Sequence, residues 1–532
     1  MKRIFISATA ILAFSAAAHA DELSDIQAQA KQLREQMSKR LADLEKRQKA
    51  LEAQQKAQVP AISPVDAMAA DLPYKAAVKA RPVENDDICI KGICVYGNFD
   101  MGLSYIQHGA PLNAIATPPL NYLISKNSNG AYFGAGANQL STSFIGLKGK
   151  QEIGDNLYVV FNLQTYFDPG SGIAMSGPGS IAQNNGLTTN LGLQNSFGDS
   201  SKAGQMFNQA AYFGISSPTY GTFTMGRQSP LSADLVSNYD ALSGASAFSL
   251  LAFQGANGGG GDTEDRVYDN SYEYRVEVGP VRLAAIAQLR NGGNSSTGNA
   301  FQGDIGFDYM GLSMDFVGGK IYDAVAAAPL SPAQLAASIT TVANGNGIIA
   351  GTVSDNTVFQ VGAKYVIGPW KFYGGYENVH FANPDNPLVP GAFVTGGYIL
   401  GAGGAINNTN FTNERVLQTG WIGVRYSITS ALDVTGAFYH EWQNSFATGV
   451  NTGCNDARAS QCSGSLDAVS LVLDWRFAKH MDFYAGVMWS QAQNGLASGF
   501  LQANGTNAGG TIIGGPNKAS SYDPGIGLRY QF

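Results

Sequence analysis

The sequence predicts an all-β chain closed into a membrane-spanning antiparallel barrel of sixteen strands, preceded by an α-helical segment. Three features point to the barrel. The first is alternation: Tyr522, Pro524, Ile526, Leu528, Tyr530 and Phe532 share one side of a pleat, while Asp523, Gly525, Gly527, Arg529 and Gln531 share the other. A soluble sheet can carry the same pattern, so the start of the chain decides between them. Residues 1–20 have the form of a secretory signal, with Lys2 and Arg3, an apolar run from Ile4 to Phe14, and Ala18-His19-Ala20 before Asp21. The third feature is that no other stretch approaches the roughly 18 apolar residues a membrane helix requires. An exported chain of one-faced strands then has the closed barrel as its way of pairing every backbone group in lipid.

Composition agrees. Charged residues are 14% of the chain, aromatic residues 11%, and there are 65 Gly, which suits interface belts and many turns better than a soluble core. From Asp86 onward 20 bases face 30 acids, which excludes a nucleic-acid surface and inclines any lumen toward cations.

Residues 21–58 contain no Gly or Pro, and Leu23, Ile26, Ala30, Leu33, Met37, Leu41, Leu44 and Leu51 recur at threes and fours with one stutter. The seam is narrow and its flanks are charged, so a periplasmic coiled coil with copies of itself is expected; a solitary solvated helix is the alternative. Periplasmic or peptidoglycan contact would run through this segment. Residues 59–87, with Pro60, Pro64, Pro73 and Pro82, read as an extended linker, and 88–532 as the barrel domain.

Cysteines fall in two close pairs, Cys89 with Cys94 and Cys454 with Cys462. Export favours local disulfides, the first across a tight hairpin with Lys91-Gly92 at its tip; other connectivities and a zinc site are the rivals, and neither pair has a histidine nearby.

Sixteen strands follow by alternation: 93–107, 139–151, 156–167, 208–217, 221–228, 266–279, 281–290, 301–309, 312–323, 356–367, 369–381, 415–427, 431–443, 465–477, 481–493 and 521–532. Short connections such as Gly279-Pro280 and Gly368-Pro369 alternate with long Gly/Asn/Ser-rich ones, and an even strand count returns both ends to the periplasmic side. In the first strand Val95, Phe99, Met101, Leu103 and Tyr105 are expected to face lipid, with Tyr96, Asn98, Asp100 and Ser104 inside. A tube this wide is expected to hold water. His108, His380, His440 and His480 are isolated, and neither a His-Glu-x-x-His nor a Gly-x-Ser-x-Gly pattern occurs, so no enzyme, cofactor or metal is expected.

Several runs carry a more specific likeness: Cys94-Val-Tyr-Gly-Asn-Phe-Asp-Met-Gly, Phe144-Ile-Gly-Leu-Lys-Gly, Ala211-Tyr-Phe-Gly-Ile, Tyr220-Gly-Thr-Phe-Thr-Met-Gly-Arg-Gln, Asp269-Asn-Ser and Gly527-Leu-Arg-Tyr-Gln-Phe532. From about residue 94 to 532 the chain resembles the Gram-negative general porins, above all alphaproteobacterial porins with an N-terminal coil. The resemblance implies a homotrimer in the outer membrane, among lipid and lipopolysaccharide, each barrel a water-filled channel for passive diffusion of small hydrophilic solutes. It also implies a third loop, Ser229 to about Asp265, folded inward as an eyelet. Where the family often places wall arginines this chain has Phe144 and Gln209, and Arg266 stands one residue off the family's register. The constriction is therefore expected to set loop acids Asp234 and Asp240 against wall bases drawn from Lys148, Arg227, Arg266, Arg275, Arg425, Arg476 and Arg529, with a weak cation preference. A solute-specific channel, which would need an aromatic stair or a basic ladder, and an envelope-anchoring barrel are the alternatives.

Overall fold

In the computed structural model the period-two segments join into one sheet. The structure describes residues 88–90, 92–108, 112, 118–122, 131–175, 206–252, 267–289, 298–329, 349–383, 385, 397–400, 404–408, 413–445, 463–494, 496 and 518–532, with Lys31, Lys39 and Arg40, which are helical. The chain divides into two units, Met1–Ser63 and Pro64–Phe532, and the sheet belongs to the second. The expected signal, linker and Cys454–Cys462 pair, and the expected coil apart from those three helical positions, lie outside the described residues.

Among the described residues the sheet has twenty strands. They are β1 (Ile88–Ile90), β2 (Ile93–Ile106), β3 (Tyr132–Ala137), β4 (Phe144–Gly154), β5 (Leu157–Tyr166), β6 (Ala210–Ser217), β7 (Gly221–Gln228), β8 (Tyr268–Val278), β9 (Val281–Gln288) and β10 (Ala300–Tyr309). Then come β11 (Leu312–Pro329), β12 (Ile349–Ile367), β13 (Trp370–Ala382), β14 (Gly397–Leu400), β15 (Gly404–Asn408), β16 (Arg415–Thr429), β17 (Leu432–Gln443), β18 (Gly464–Ala478), β19 (Met481–Asn494) and β20 (Lys518–Gln531). β20 pairs with β2 from Gln531↔Asn98 to Gly525↔Ser104 and closes the barrel. β1, β14 and β15 are additions to the wall, and β3 and β4 share one wall position, so the wall is the sixteen-stranded antiparallel barrel expected.

The outward rows are apolar and exposed, as with Phe99, Leu103, Ile145, Phe213, Ile305, Phe372, Leu471 and Leu528. Aromatic residues gather at the short-turn rim, where Trp370 lies 4.3 Å from the Tyr426 ring and Trp475 5.6 Å from Phe477. This is the girdle that anchors a barrel at a membrane interface.

Two departures from the sequence reading matter for function. Strand two is not the single run 139–151: β2 pairs with β3 through Met101–Ile106 and with β4 through Ile93–Asn98, and residues 138–143 leave the wall between them. Asp100 holds that excursion, accepting from the backbone N–H of Leu140 at 3.0 Å and of Ser141 at 2.6 Å. The second departure is the lumen. It is not simply polar, because inward Tyr439, Leu466, Ala468, Val472, Tyr484 and Met488 join Leu231, Leu235, Val236 and Phe248 of the third loop in a buried apolar core.

β1 and β2 form the expected hairpin, with Cys89 and Cys94 bonded. It lies at the short-turn end of β2. Dithiothreitol is therefore expected to leave single-channel current unchanged; a large change in current would put this hairpin in the conducting path.

Candidate functional site

The third loop enters the barrel directly after β7. Pro230 precedes helix α1, Leu231–Tyr239, in which Leu231, Leu235 and Tyr239 recur every fourth residue and so share a face. That face lies against β9 to β13. Close approach is possible because the wall offers Gly362, where a Cβ would come within 2.7 Å of the Tyr239 side chain.

Polar anchors then fix the loop along its length. The Tyr239 hydroxyl donates to Asp315 Oδ2 at 2.8 Å, and the Arg282 guanidinium donates to the same hydroxyl at 3.0 Å. Trp421 Nε1 donates to the Tyr239 carbonyl at 2.9 Å, and Arg425 donates to the Ala241 carbonyl. The Tyr439 hydroxyl donates to Asp240 Oδ1 at 2.7 Å, and the Gly244 N–H to Asp240 Oδ2 at 2.8 Å. Farther on, Ser470 Oγ donates to the Phe248 carbonyl at 2.6 Å, and the Ala247 N–H donates to the Gln139 carbonyl on the strand-two excursion at 2.9 Å. The loop thus crosses from the β9–β13 wall to the β17–β19 wall and the β3–β4 excursion.

Beside α1, at the short-turn end, a cavity of about 320 Å³ opens between the helix and the wall strands β6–β11, with Leu231 and Leu235 in its lining. Asp234 and Asn238 of the helix face Lys150, Arg275, Glu277, Arg282, Asp304 and Asp315 of the wall across it. Arg275 is ion-paired with both Asp234 and Glu273, and Arg282 with both Asp308 and Asp315, the latter at 2.7 Å. Each arginine is thereby overmatched. Asp304 Oδ1 is buried with no hydrogen-bond partner among the described residues. Burial pushes the Asp234 carboxyl above its ordinary range, and Arg275 opposes the shift without cancelling it. With Glu277 and Lys150 included, this group sets five acids, Asp234, Glu273, Glu277, Asp308 and Asp315, against three bases, Lys150, Arg275 and Arg282.

Of the residues picked from sequence, the structure brings Asp234 and Arg275 together here. The others stand elsewhere. Asp240 is 1% exposed and spends its carboxylate on the Tyr439 hydroxyl of the wall and the Gly244 N–H of the loop. Arg425 pins the loop from outside the cavity. Arg227 pairs with Asp269 and donates to the Asn208 carbonyl at 2.9 Å, at the far end of β7. Arg476 pairs with Asp433 at 3.2 Å beside a short turn. Arg529 is held by Asp482 at 2.7 Å and Asp474 at 3.1 Å. Lys148 faces inward over the Tyr96 ring at 4.9 Å, and Arg266 lies outside the described residues. Sequence reasoning missed Lys150, Arg282, Asp304 and Asp315. Their signal was present, since Val281, Leu283, Ile305 and Phe316 face outward and alternation turns their neighbours in. Among the described residues no cluster of three or more His, Cys, Asp or Glu is placed to hold a metal ion.

Residues 7–495 match the family model for Gram-negative porins. Among solved structures, the anion-selective porin from Comamonas acidovorans is 16% identical with a TM-score of 0.50, over 83% of this chain and 99% of that one. The outer-membrane OmpT of Vibrio cholerae is 14% identical with a TM-score of 0.47, over 84% of this chain and 100% of that one. The outer-membrane channel DcaP of Acinetobacter baumannii is 13% identical with a TM-score of 0.44, over 84% and 99% respectively. No curated protein sequence matches the chain.

Proposed function

Since the chain belongs to the Gram-negative porin family and is an outer-membrane channel, we propose that small hydrophilic solutes and ions cross it passively, with a weak preference for cations set beside helix α1. The observation that carries the preference is the double clamping of Arg275 and Arg282 by acids. The Comamonas porin is named for anion selectivity, but at 16% identity the likeness extends to the fold alone.

Reversal potential in a potassium chloride gradient tests the reading. The native channel should lie on the cation side, and Asp234→Asn should move it toward anions. Acidification should act in the same direction. Asp234, raised by burial, becomes neutral on the way down sooner than an ordinary carboxylate and takes a negative charge from the passage. A native anion preference, or a reversal potential indifferent to that substitution, would place the selectivity elsewhere in the lumen.

The same reading includes a cleaved signal at residues 1–20, a homotrimer, and a coil at 21–58 that adds self-association and periplasmic contact without being needed for the barrel. No reaction is assigned to the chain. Deletion of residues 21–58 should still give a conducting, heat-sensitive trimer in mild detergent, and failure of that truncation to assemble would make the coil a folding element.

A further inference from the structure

One face of the lumen is unused by any of these contacts. On the wall formed by β2, β4, β5 and β6, alternation turns five rings inward: Tyr158, Tyr212, Tyr96, Phe144 and Tyr166. All five are half-buried, and none belongs to the apolar core built on the third loop. Their heights follow from register. Glu152↔Tyr158 stands at the short-turn end, Lys148↔Asn162↔Tyr212 higher, then Tyr96↔Gly146↔Gln164, and finally Phe144↔Tyr166. Eight residues of β5 separate the lowest ring from the highest, about 27 Å at the usual strand rise. Neighbouring rings approach one another, with Tyr96 5.4 Å from Phe144 and Phe144 6.2 Å from Tyr166. Tyr96 lies flat across Gly146, where a Cβ would come within 2.5 Å of the ring.

Between the rings stand groups that hydrogen-bond in both senses. Gln164 offers an amide, Lys148 and Lys150 hold their ammonium groups 4.9 Å over Tyr96 and 4.2 Å over Tyr158, and the buried Asn162 is taken up by the Tyr96 hydroxyl, which donates to its Oδ1. At its foot the row meets the charged cavity, because Lys150 and Ser216 line both.

We infer that this row is a binding track for small neutral sugars, which pass along the wall with their C–H faces on Tyr212, Phe144 and Tyr166 and their hydroxyls on Gln164, the two lysines and, at the foot, the acids of the cavity. Aromatic faces attract apolar C–H surface, and hydroxyls satisfy donors and acceptors alike. An aromatic carboxylate would also suit rings and lysines, but it must then pass the acidic cavity at the foot. The choice of a neutral over an anionic solute rests on the charge reading above.

Maltotriose added to a single channel in a planar bilayer tests the track, with polyethylene glycol of similar mass and benzoate as comparisons. The native channel should show maltotriose-dependent interruptions of current that polyethylene glycol and benzoate do not cause. Phe144→Leu with Tyr166→Leu keeps apolar volume but removes two stacking faces, and should weaken the maltotriose block by about tenfold. Its reversal potential in potassium chloride should stay at the native value, because the charged cavity is untouched. If the double variant does not insert, Tyr212→Leu at mid-height gives the same test. Interruptions by benzoate alone, equal effects of maltotriose and polyethylene glycol, or a block unchanged in the leucine variants would overturn the inference. A channel that proved anion-selective yet was still blocked by maltotriose, with relief in the leucine variants, would keep the track and reject the charge reading.

Discussion

Trp421→Ala is expected to release the third loop, so that single-channel conductance rises and the current becomes noisier while the barrel stays inserted. Trp421 is 3% exposed, its indole N–H holds the Tyr239 carbonyl, and it lies in the core that docks the loop. Truncating a buried Trp to Ala typically costs about 3–5 kcal/mol. That loss falls on the docking of the loop, because the wall at Trp421 is secured by backbone pairing to Gly375 and Tyr439. Bilayer conductance together with the heat-shifted gel band checks both halves. Unchanged conductance would mean that the remaining anchors, Tyr439 on Asp240 and Ser470 on the Phe248 carbonyl, hold the loop without the indole.

The second large effect is expected at Arg529, picked from sequence as a constriction base and found as the counter-charge of Asp474 and Asp482. Arg529→Met should lower the thermal midpoint of the barrel strongly, since removing one partner of a buried ionic group costs about 3–5 kcal/mol through the charge left behind. Adding Asp474→Asn and Asp482→Asn should restore most of the loss. Heating with gel-shift readout distinguishes this from a pore role: a structural Arg529 moves the midpoint, whereas a selectivity residue would move the reversal potential and leave the midpoint in place.

Most of the wall was legible because lipid outside and obligatory backbone pairing leave a strand little freedom. β2 and β7 fall at the expected residues to within one position, and most of the others to within a few. Some wall ends were not: β11 runs on to Pro329 and β12 begins at Ile349, in a segment read as a long connection. The break at 138–143 was hidden too, because what holds it is Asp100, forty residues earlier in sequence, which alternation marked only as an inward acid. The third loop was read by its charges. Its apolar fourth-residue spacing, Leu231, Leu235 and Tyr239, carried the more useful information, since it places a helix and the side that docks. Asp240 shows why charge misled: its partner Tyr439 lies on a strand 199 residues away, so nothing local marks the carboxylate as already committed. Arg282, Asp304 and Asp315 lay in plain alternation but outside the motifs that drew attention.

The small hairpin before the barrel bears on how the last pairing finds its register. β2 and β20 join positions more than 400 residues apart, so their meeting comes late, after local pairings have formed. A slide of one residue there would turn Arg529 and Asp523 toward lipid and Leu528 and Tyr530 into the lumen. β1 pairs with β2 from Ile88↔Val95 to Ile90↔Ile93, while β4 holds the opposite edge of β2 at the same positions. The edge left to β20 therefore begins just above β1, where Phe532 exchanges backbone hydrogen bonds with Gly97 at 2.9 and 3.1 Å. A hairpin formed from neighbouring residues thus acts as a mechanical stop, and the closing strand can advance only until it meets it.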